Sequence, residues 1–390
     1  MIVINTPQIE TEGDFVVISA EIEIKEVIEK LWYKFPVEFK KFLVTENVDA
    51  FLVGLLFLAL KTGEDIHLKT QVSARLYYTL SHYLIPALCL ANSKLYRINI
   101  FAEELNEADL NIGKIAGTGL SCGIDSFATY YDHLDEKGAY GIHFFTFLNA
   151  GSLGDFGGKN SRIVYHNKLL HVKKFAKEED LEVIPIDTNL SEILKMNFQS
   201  THTLRNLSCI LNLQKLFKNY YYASPHRFDK FSLNSKDTGD YDLLNVSLLS
   251  TESINFFSSA ANLTRIERTD SIANYSSTYN YLDVCTNPHQ GGNIINCSRC
   301  NKCLRTALTL DLLGKLKLFE GVFDLKVYYR HKQAFIGKVL ATKGEDQFAK
   351  EIYEFMIDSN QFSYLYYTHF INYKFKGIKN NIKRILKKNN

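Results

Sequence analysis

The stretch from Lys114 to Leu148, KIAGTGLSCGIDSFATYYDHLDEKGAYGIHFFTFL, decides how the chain is read. KIAGTGL is a short apolar strand, SFATYYDHLDEKG has helical spacing closed by Gly138, and YGIHFFTFL is a second strand. The turn between strand and helix holds Gly117, Gly119 and Gly123, with Ser121 and Ser126 on either side of Cys122 and Asp125. Unpaired N–H groups at a helix start favour anions, and glycine lets a phosphate approach the backbone, so the turn reads as a phosphate cradle. The same residues also read as a tight turn with Asp125 capping the helix. Cys122 is open to two readings, a nucleophile activated by the helix N-terminus or a small packed apolar residue.

The alternation continues downstream. RIVYHNKLLHVKKFAKEED is a helix, LEVIPID a strand, LRNLSCILNLQKLF a helix, YYYAS a strand, STESINFFSSAAN a helix opening near Thr251, and LTRIER a last strand. Five strands joined by helices predict an α/β fold with a doubly wound, five-stranded, mostly parallel sheet. Ligands of such sheets gather at the strands' carboxyl ends, where GTGLSCGIDS, LNAGSLGDFGG and ASPHRFD emerge. Candidate residues in these loops and the helices beside them are Asn149, Ser152, Lys159, Arg162, His202, Arg205, His226 and Arg227, each equally readable as a solvated surface group.

Before this region, residues 1–112 predict an α+β accessory domain: a strand in DFVVISAEIEI, helices in IKEVIEKLWYKF and VSARLYYTLSHYLIPALCLA, and a strand in YRINIFAEE. The apolar run AFLVGLLFLAL, Ala50 to Leu60, is too short for a bilayer span and reads as a buried helix. After it, residues 307–390 read as a helical C-terminal extension. Its tail has seven basic residues from Lys374 onward, with Phe375, Ile378, Ile382, Ile385 and Leu386 at helical spacing. That pattern suits an anionic membrane, RNA, or docking on the protein itself.

Composition narrows the classes. Lys and Arg total 45 against 43 Asp and Glu, so no chain-wide field recruits nucleic acid or membrane. The N-terminus has neither a basic region nor an apolar core of a signal peptide, and a cytoplasmic location is expected. Four of the seven cysteines, Cys285, Cys297, Cys300 and Cys303, form C-x11-C-x2-C-x2-C in VCTNPHQGGNIINCSRCNKCLRT. Thiolates at that spacing can close a tetrahedral zinc shell, and an iron–sulfur cluster is the competing occupant.

SCGIDS resembles the Ser-Gly-Gly-x-Asp-Ser signature of the PP-loop ATP pyrophosphatase superfamily, whose loop wraps the pyrophosphate of ATP; this chain has Cys122 where that family has its first glycine. With the cysteine knuckle after the fifth strand, the pair of motifs is similar to the 7-cyano-7-deazaguanine synthase group. The resemblance covers roughly Lys114 to Thr306 and implies a Rossmann-like PP-loop domain over residues 113–306 with a four-cysteine zinc knuckle at its end. It implies ATP, Mg²⁺ and Zn²⁺ as cofactors, with nucleotide contacts from Gly119, Leu120, Ser121, Cys122, Gly123, Ile124, Asp125, Ser126 and Asn149. HTLRNL is similar to the Arg-Asn pair of that group and implies Arg205 and Asn206 near nucleotide or substrate; Asp125, Ser126 and Arg205 are the implied catalytic residues. The implied reaction adenylates a carboxylate or carbonyl of a small molecule, releases pyrophosphate and admits ammonia or an amine. No glutaminase motif is present, so a separate nitrogen donor or amidotransferase partner is expected, and a homodimer is compatible. The alternatives are a sulfur transferase of the tRNA-thiolase type, which would bind nucleic acid, and a non-catalytic nucleotide-binding module.

Overall fold

The computed structural model describes residues 1–286 and 294–375. The chain forms two units, one of residues 1–121 with 129–262, the other of residues 122–128 with those from 263 onward.

The first unit opens with β1 (Ile2–Ile4), β2 (Gln8–Glu12), β3 (Phe15–Ile24) and β4 (Val27–Pro36). The helix expected over residues 24–35 is therefore a strand: β3 and β4 form a hairpin that keeps Ile24 opposite Val27 and Phe15 opposite Pro36. Its period is two, with Leu31, Tyr33 and Phe35 fully buried, and burial on one sheet face overrides the helical spacing. Next come α1 (Asp49–Thr62), β5 (Ile66–Leu68), β6 (Val72–Ser73), α2 (Ala74–Thr79), α3 (Ile85–Ala91), β7 (Ile100–Ala102) and β8 (Leu105–Asn106). Helix α1 carries the expected apolar run, is buried along most of its length, and stops at Gly63 with φ +72°.

The alternating region supplies β9 (Ile115–Gly119), α4 (Ile124–Asp132), β10 (Ile142–Asn149), α5 (Lys159–Glu178), β11 (Glu182–Thr188), α6 (Leu190–Leu194), α7 (His202–Leu211), β12 (Phe217–Ala223), α8 (Asp242–Leu248) and β13 (Asn255–Ser259). Two expectations fail together here. The residues taken as a helix near Thr251 contain the fifth strand, β13, and LTRIER begins a helix instead of forming that strand. Ile254, Phe256 and Phe257 make this run the better strand former, and Thr264 with Glu267 closes a capping box that starts the helix.

The strands make one eleven-stranded, mostly parallel sheet in the order β13-β12-β9-β10-β11-β4-β3-β1-β5-β7, with β2 beside β3. Strands β9 to β13 run parallel, and their order turns at β9, which lies between β12 and β10. The sheet does not stop at five strands. Strand β4 pairs antiparallel with β11 at Asp187 opposite Lys34 and Thr188 opposite Tyr33, and the Thr188 hydroxyl donates to the Trp32 carbonyl at 2.7 Å. Residues 1–112 thus continue the central sheet, and the division of the chain differs from the expected cuts at 112 and 306.

The second unit holds α9 (Arg265–Ile272), α10 (Asn301–Leu312), α11 (Leu325–Thr342) and α12 (Gln347–Asp358), with residues 366–375 also helical. Asp324 and Asp346 cap α11 and α12 by accepting from Val327 and from Phe348 and Ala349. Arg268, Tyr328, Phe127, Phe319 and Phe323 are the largest fully buried side chains of this unit. Among the described residues no helix is long and apolar enough to cross a membrane.

Candidate functional site

Strand β9 is thin by design of its sequence. A Cβ on Gly117 would stand 2.3 Å from the Phe217 ring, and one on Gly119 would touch only the Tyr220 hydroxyl at 3.4 Å. The glycines let aromatic rings of β12 lie across the strand, so that the Tyr220 hydroxyl reaches Thr146 of β10 at 2.7 Å. The chain then leaves the sheet through Leu120 and Ser121 and turns at Cys122, which takes φ +57° and is fully buried. A left-handed φ strains a cysteine, whose Cβ a glycine at this position would lack. The Gly123 N–H donates to the Ser126 Oγ at 3.1 Å and the Ser126 hydroxyl to the Gly123 carbonyl at 3.0 Å, closing the turn at the start of α4.

Asp125 is not a plain helix cap. It is the second residue of α4, and its carboxylate accepts from Arg265 and from Arg268, the latter at 2.9 Å with a fully buried side chain. Burial pushes the Asp125 carboxyl up, but the two guanidinium groups outweigh it and hold it below the usual carboxylate range. Arg305 joins this group from α10: burial, then the charge of Arg265, holds it down to about 10, and its guanidinium lies 4.0 Å from the Phe348 ring centre. Its Nε is buried with no hydrogen-bond partner among the described residues. Lys302 lies within electrostatic reach of Arg265, Arg305 and Asp125. Four cations therefore surround one carboxylate at the start of α4. Arg265 and Arg268 escaped the sequence reading because LTRIER was taken for a strand, and the T-x-x-E capping box would have exposed two arginines three apart on one helix face; Arg305, two residues after Cys303, carries no sequence signal of its own.

Most of the other expected residues have partners away from this turn. Asn149, at the end of β10, donates to Asp187 at 2.7 Å, and Arg162 pairs with Asp187 at 3.0 Å and with Glu192. Lys159 is the first residue of α5 and Ser152 lies in the loop before it. Arg205 is fully buried and serves three acceptors, the Asp155 carbonyl at 2.9 Å, the Ser191 hydroxyl at 3.1 Å and the Met196 carbonyl at 2.8 Å. Burial holds its guanidinium down to about 10. Gly151, at φ +117°, would place a Cβ 2.6 Å from that guanidinium, so the loop closes over Arg205 only with glycine there. Asn206 donates to Tyr222 at 3.4 Å, and His202 bridges the Tyr222 hydroxyl at 2.9 Å and Asp237 at 3.2 Å. His226 pairs with Asp240 and Arg227 with Asp229. Below His202, Asp242 is buried; burial and the charges of Asp237 and Asp240 push its carboxyl up to about 6.

The four clustered cysteines converge. The Cys285, Cys297, Cys300 and Cys303 sulfurs all lie within 4.8 Å of one another, with Cys297 and Cys303 at 3.9 Å. The Cys300 N–H points to the Cys297 sulfur at 3.3 Å and the Cys303 N–H to the Cys300 sulfur at 3.5 Å, the backbone pattern of a thiolate knuckle. Asn296 fastens it: its amide donates to the Leu282 carbonyl at 2.7 Å and the Val322 carbonyl at 3.1 Å and accepts from the Val284 N–H at 2.9 Å. The Cys303 contact draws the Cys300 thiol down, and the same contact with burial drives Cys303 up. A tetrahedral shell with metal–sulfur bonds of about 2.3 Å needs sulfurs about 3.8 Å apart, so this centre can hold a metal with little rearrangement. Of the expected tail pattern, Ile378, Ile382, Ile385 and Leu386 lie outside the described residues. No protein-family model matches this chain, and neither a curated protein nor a solved structure matches it.

Proposed function

We propose that this protein is an ATP-dependent adenylating enzyme of the PP-loop type, activating a carboxylate or carbonyl of a small molecule for attack by ammonia or an amine. The observation that carries the reading is the turn of residues 122–126, which opens a helix and has Arg265, Arg268, Lys302 and Arg305 grouped about Asp125. A helix start where four cations group about Asp125, with Asp346 and Glu351 the further acids near Arg305, suits a polyphosphate, whose negative charge those cations can meet.

ATP, when bound, supplies an electrophilic α-phosphorus: a substrate carboxylate oxygen bonds to it as the bond to pyrophosphate breaks, and the amine then displaces AMP from the acyl carbon and loses a proton. The chain's own contribution is positioning and charge. The grouped arginines and the start of α4 meet phosphate oxygens, while Asp125 holds Arg265 and Arg268 in place. With its carboxylate taken by two guanidinium groups, Asp125 is a poor ligand for Mg²⁺, which the phosphates and water would hold. The cysteine centre, as a zinc site, secures the start of α10, which carries Lys302 and Arg305. A sulfur-transferase reading gains nothing from Cys122, since a fully buried thiol cannot reach a substrate.

Incubation with ATP, ammonia and a panel of carboxylic acids should release AMP and pyrophosphate; ADP and phosphate as products would refute the proposal. Arg268→Met should cut turnover by on the order of a hundredfold, as for loss of one charge-stabilising donor, with the metal retained. Cys122→Gly, relieving a left-handed side chain, should bind ATP at least as tightly as the parent.

A further inference from the structure

The helices of the second unit cover their apolar faces: Phe335, Ile336 and Val339 of α11 and Ile352 and Met356 of α12 are buried. The segment that follows α12 does not. Over residues 364–375, YLYYTHFINYKF, six large side chains are exposed, among them Tyr364 at 83%, Leu365 at 75% and Phe375 at 67%. The helix of residues 366–375 meets α11 where Gly337 has no side chain: a Cβ there would stand 2.4 Å from the His369 carbonyl. Tyr367, Ile371 and Phe375 recur at four-residue intervals along it, which is one stripe of a helix, and all three are exposed. The sequence keeps that spacing at Ile378, Ile382 and Leu386, and from Lys374 to Asn390 it places seven Lys and Arg among them and no Asp or Glu.

We propose that the segment from Tyr364 onward is an interfacial anchor that binds the chain to an anionic lipid surface. Exposed tyrosines, with an apolar ring and a polar tip, suit the headgroup level, and Leu365, Ile371 and Phe375 need an apolar phase beneath it. The seven cations supply attraction to anionic headgroups, each strengthening binding severalfold at moderate salt. Nucleic acid would satisfy the cations but offers no apolar phase for leucine and isoleucine. A second copy would bring two tails of like charge together.

Flotation of the full-length protein with vesicles tests this. Vesicles of one part phosphatidylserine to two of phosphatidylcholine should bind at least about tenfold more protein than pure phosphatidylcholine at ~0.1 M salt, and the difference should collapse at ~0.5 M. Ile371→Asp and, separately, Lys383→Glu with Arg384→Glu should each lower binding about tenfold, and the unfolding midpoint of Ile371→Asp, whose side chain is exposed, should be unchanged. Equal partition to both vesicle types, or parental binding by Ile371→Asp, would overturn the proposal. So would tight binding of a single-stranded RNA that Ile371→Asp leaves intact, or a concentration-dependent doubling of mass that Ile371→Asp abolishes.

Discussion

Asp242 shows what a single carboxylate does when folding removes its water. Its fully buried neighbour Asn245, like the Asp242 Oδ2, finds no hydrogen-bond partner among the described residues, and the carboxyl rises from 3.8 to about 6. A group whose folded pKa is raised contributes stability that is complete below its unfolded value and is lost as pH rises through the folded one. The affected window therefore runs from about pH 4 to above pH 6, and a shift of about two units corresponds to roughly 3 kcal/mol. Asp242→Asn, which cannot ionise, should flatten the pH dependence of urea-unfolding stability across that window; parallel profiles for parent and variant would show that Asp242 ionises freely. At this scale the sequence was partly legible. The cysteines announced their convergence because soft ligands at two-residue gaps have few other uses. Arg205 read as a site residue; its guanidinium donates to the Asp155 and Met196 carbonyls while its Nε has no partner among the described residues, and nothing in the letters distinguishes an arginine that meets a ligand from one that ties loops together.

Among elements, β9 is the most constrained. Gly117→Ala would press a methyl into the Phe217 ring and should cost about 1–3 kcal/mol by overpacking, while Gly119→Ala meets only ordinary contact and should cost less than about 1 kcal/mol. Chemical denaturation of the two variants separates them; equal losses would mean that β12 moves freely over the strand. The strands β9, β10, β11 and β12 were legible because buried parallel strands are short continuous apolar runs between helices. Strand β4 was not: IKEVIEKLWYKF satisfies a helical period, and only the partner β3 decides in favour of a pleated face with Leu31, Tyr33 and Phe35 inward. β13 and α9 were exchanged for the same reason, since six-residue windows carry too little periodicity to overrule a neighbour.

For the whole molecule, all four clustered cysteines belong to the second unit, and the eleven-stranded sheet belongs to the first. Chelation should therefore raise amide hydrogen exchange over residues 263–286, 294–375 and 122–128 while the sheet strands keep their protection; uniform loosening of both units would show a single cooperative fold. The division into units was hidden from the sequence because it is not a cut between neighbours in the chain: Asp125 finds Arg265 and Arg268 at separations of 140 and 143 residues. That separation sets an order of assembly. On a ribosome adding about 5–20 residues per second, the charge partners of Asp125 emerge roughly 7–30 s after it does, when every strand of the sheet has already been made. A nascent chain halted at Ser259 owns a complete set of strands and an aspartate without its arginines, so the sheet is an early product of synthesis and the ion-paired group around Asp125 a late one.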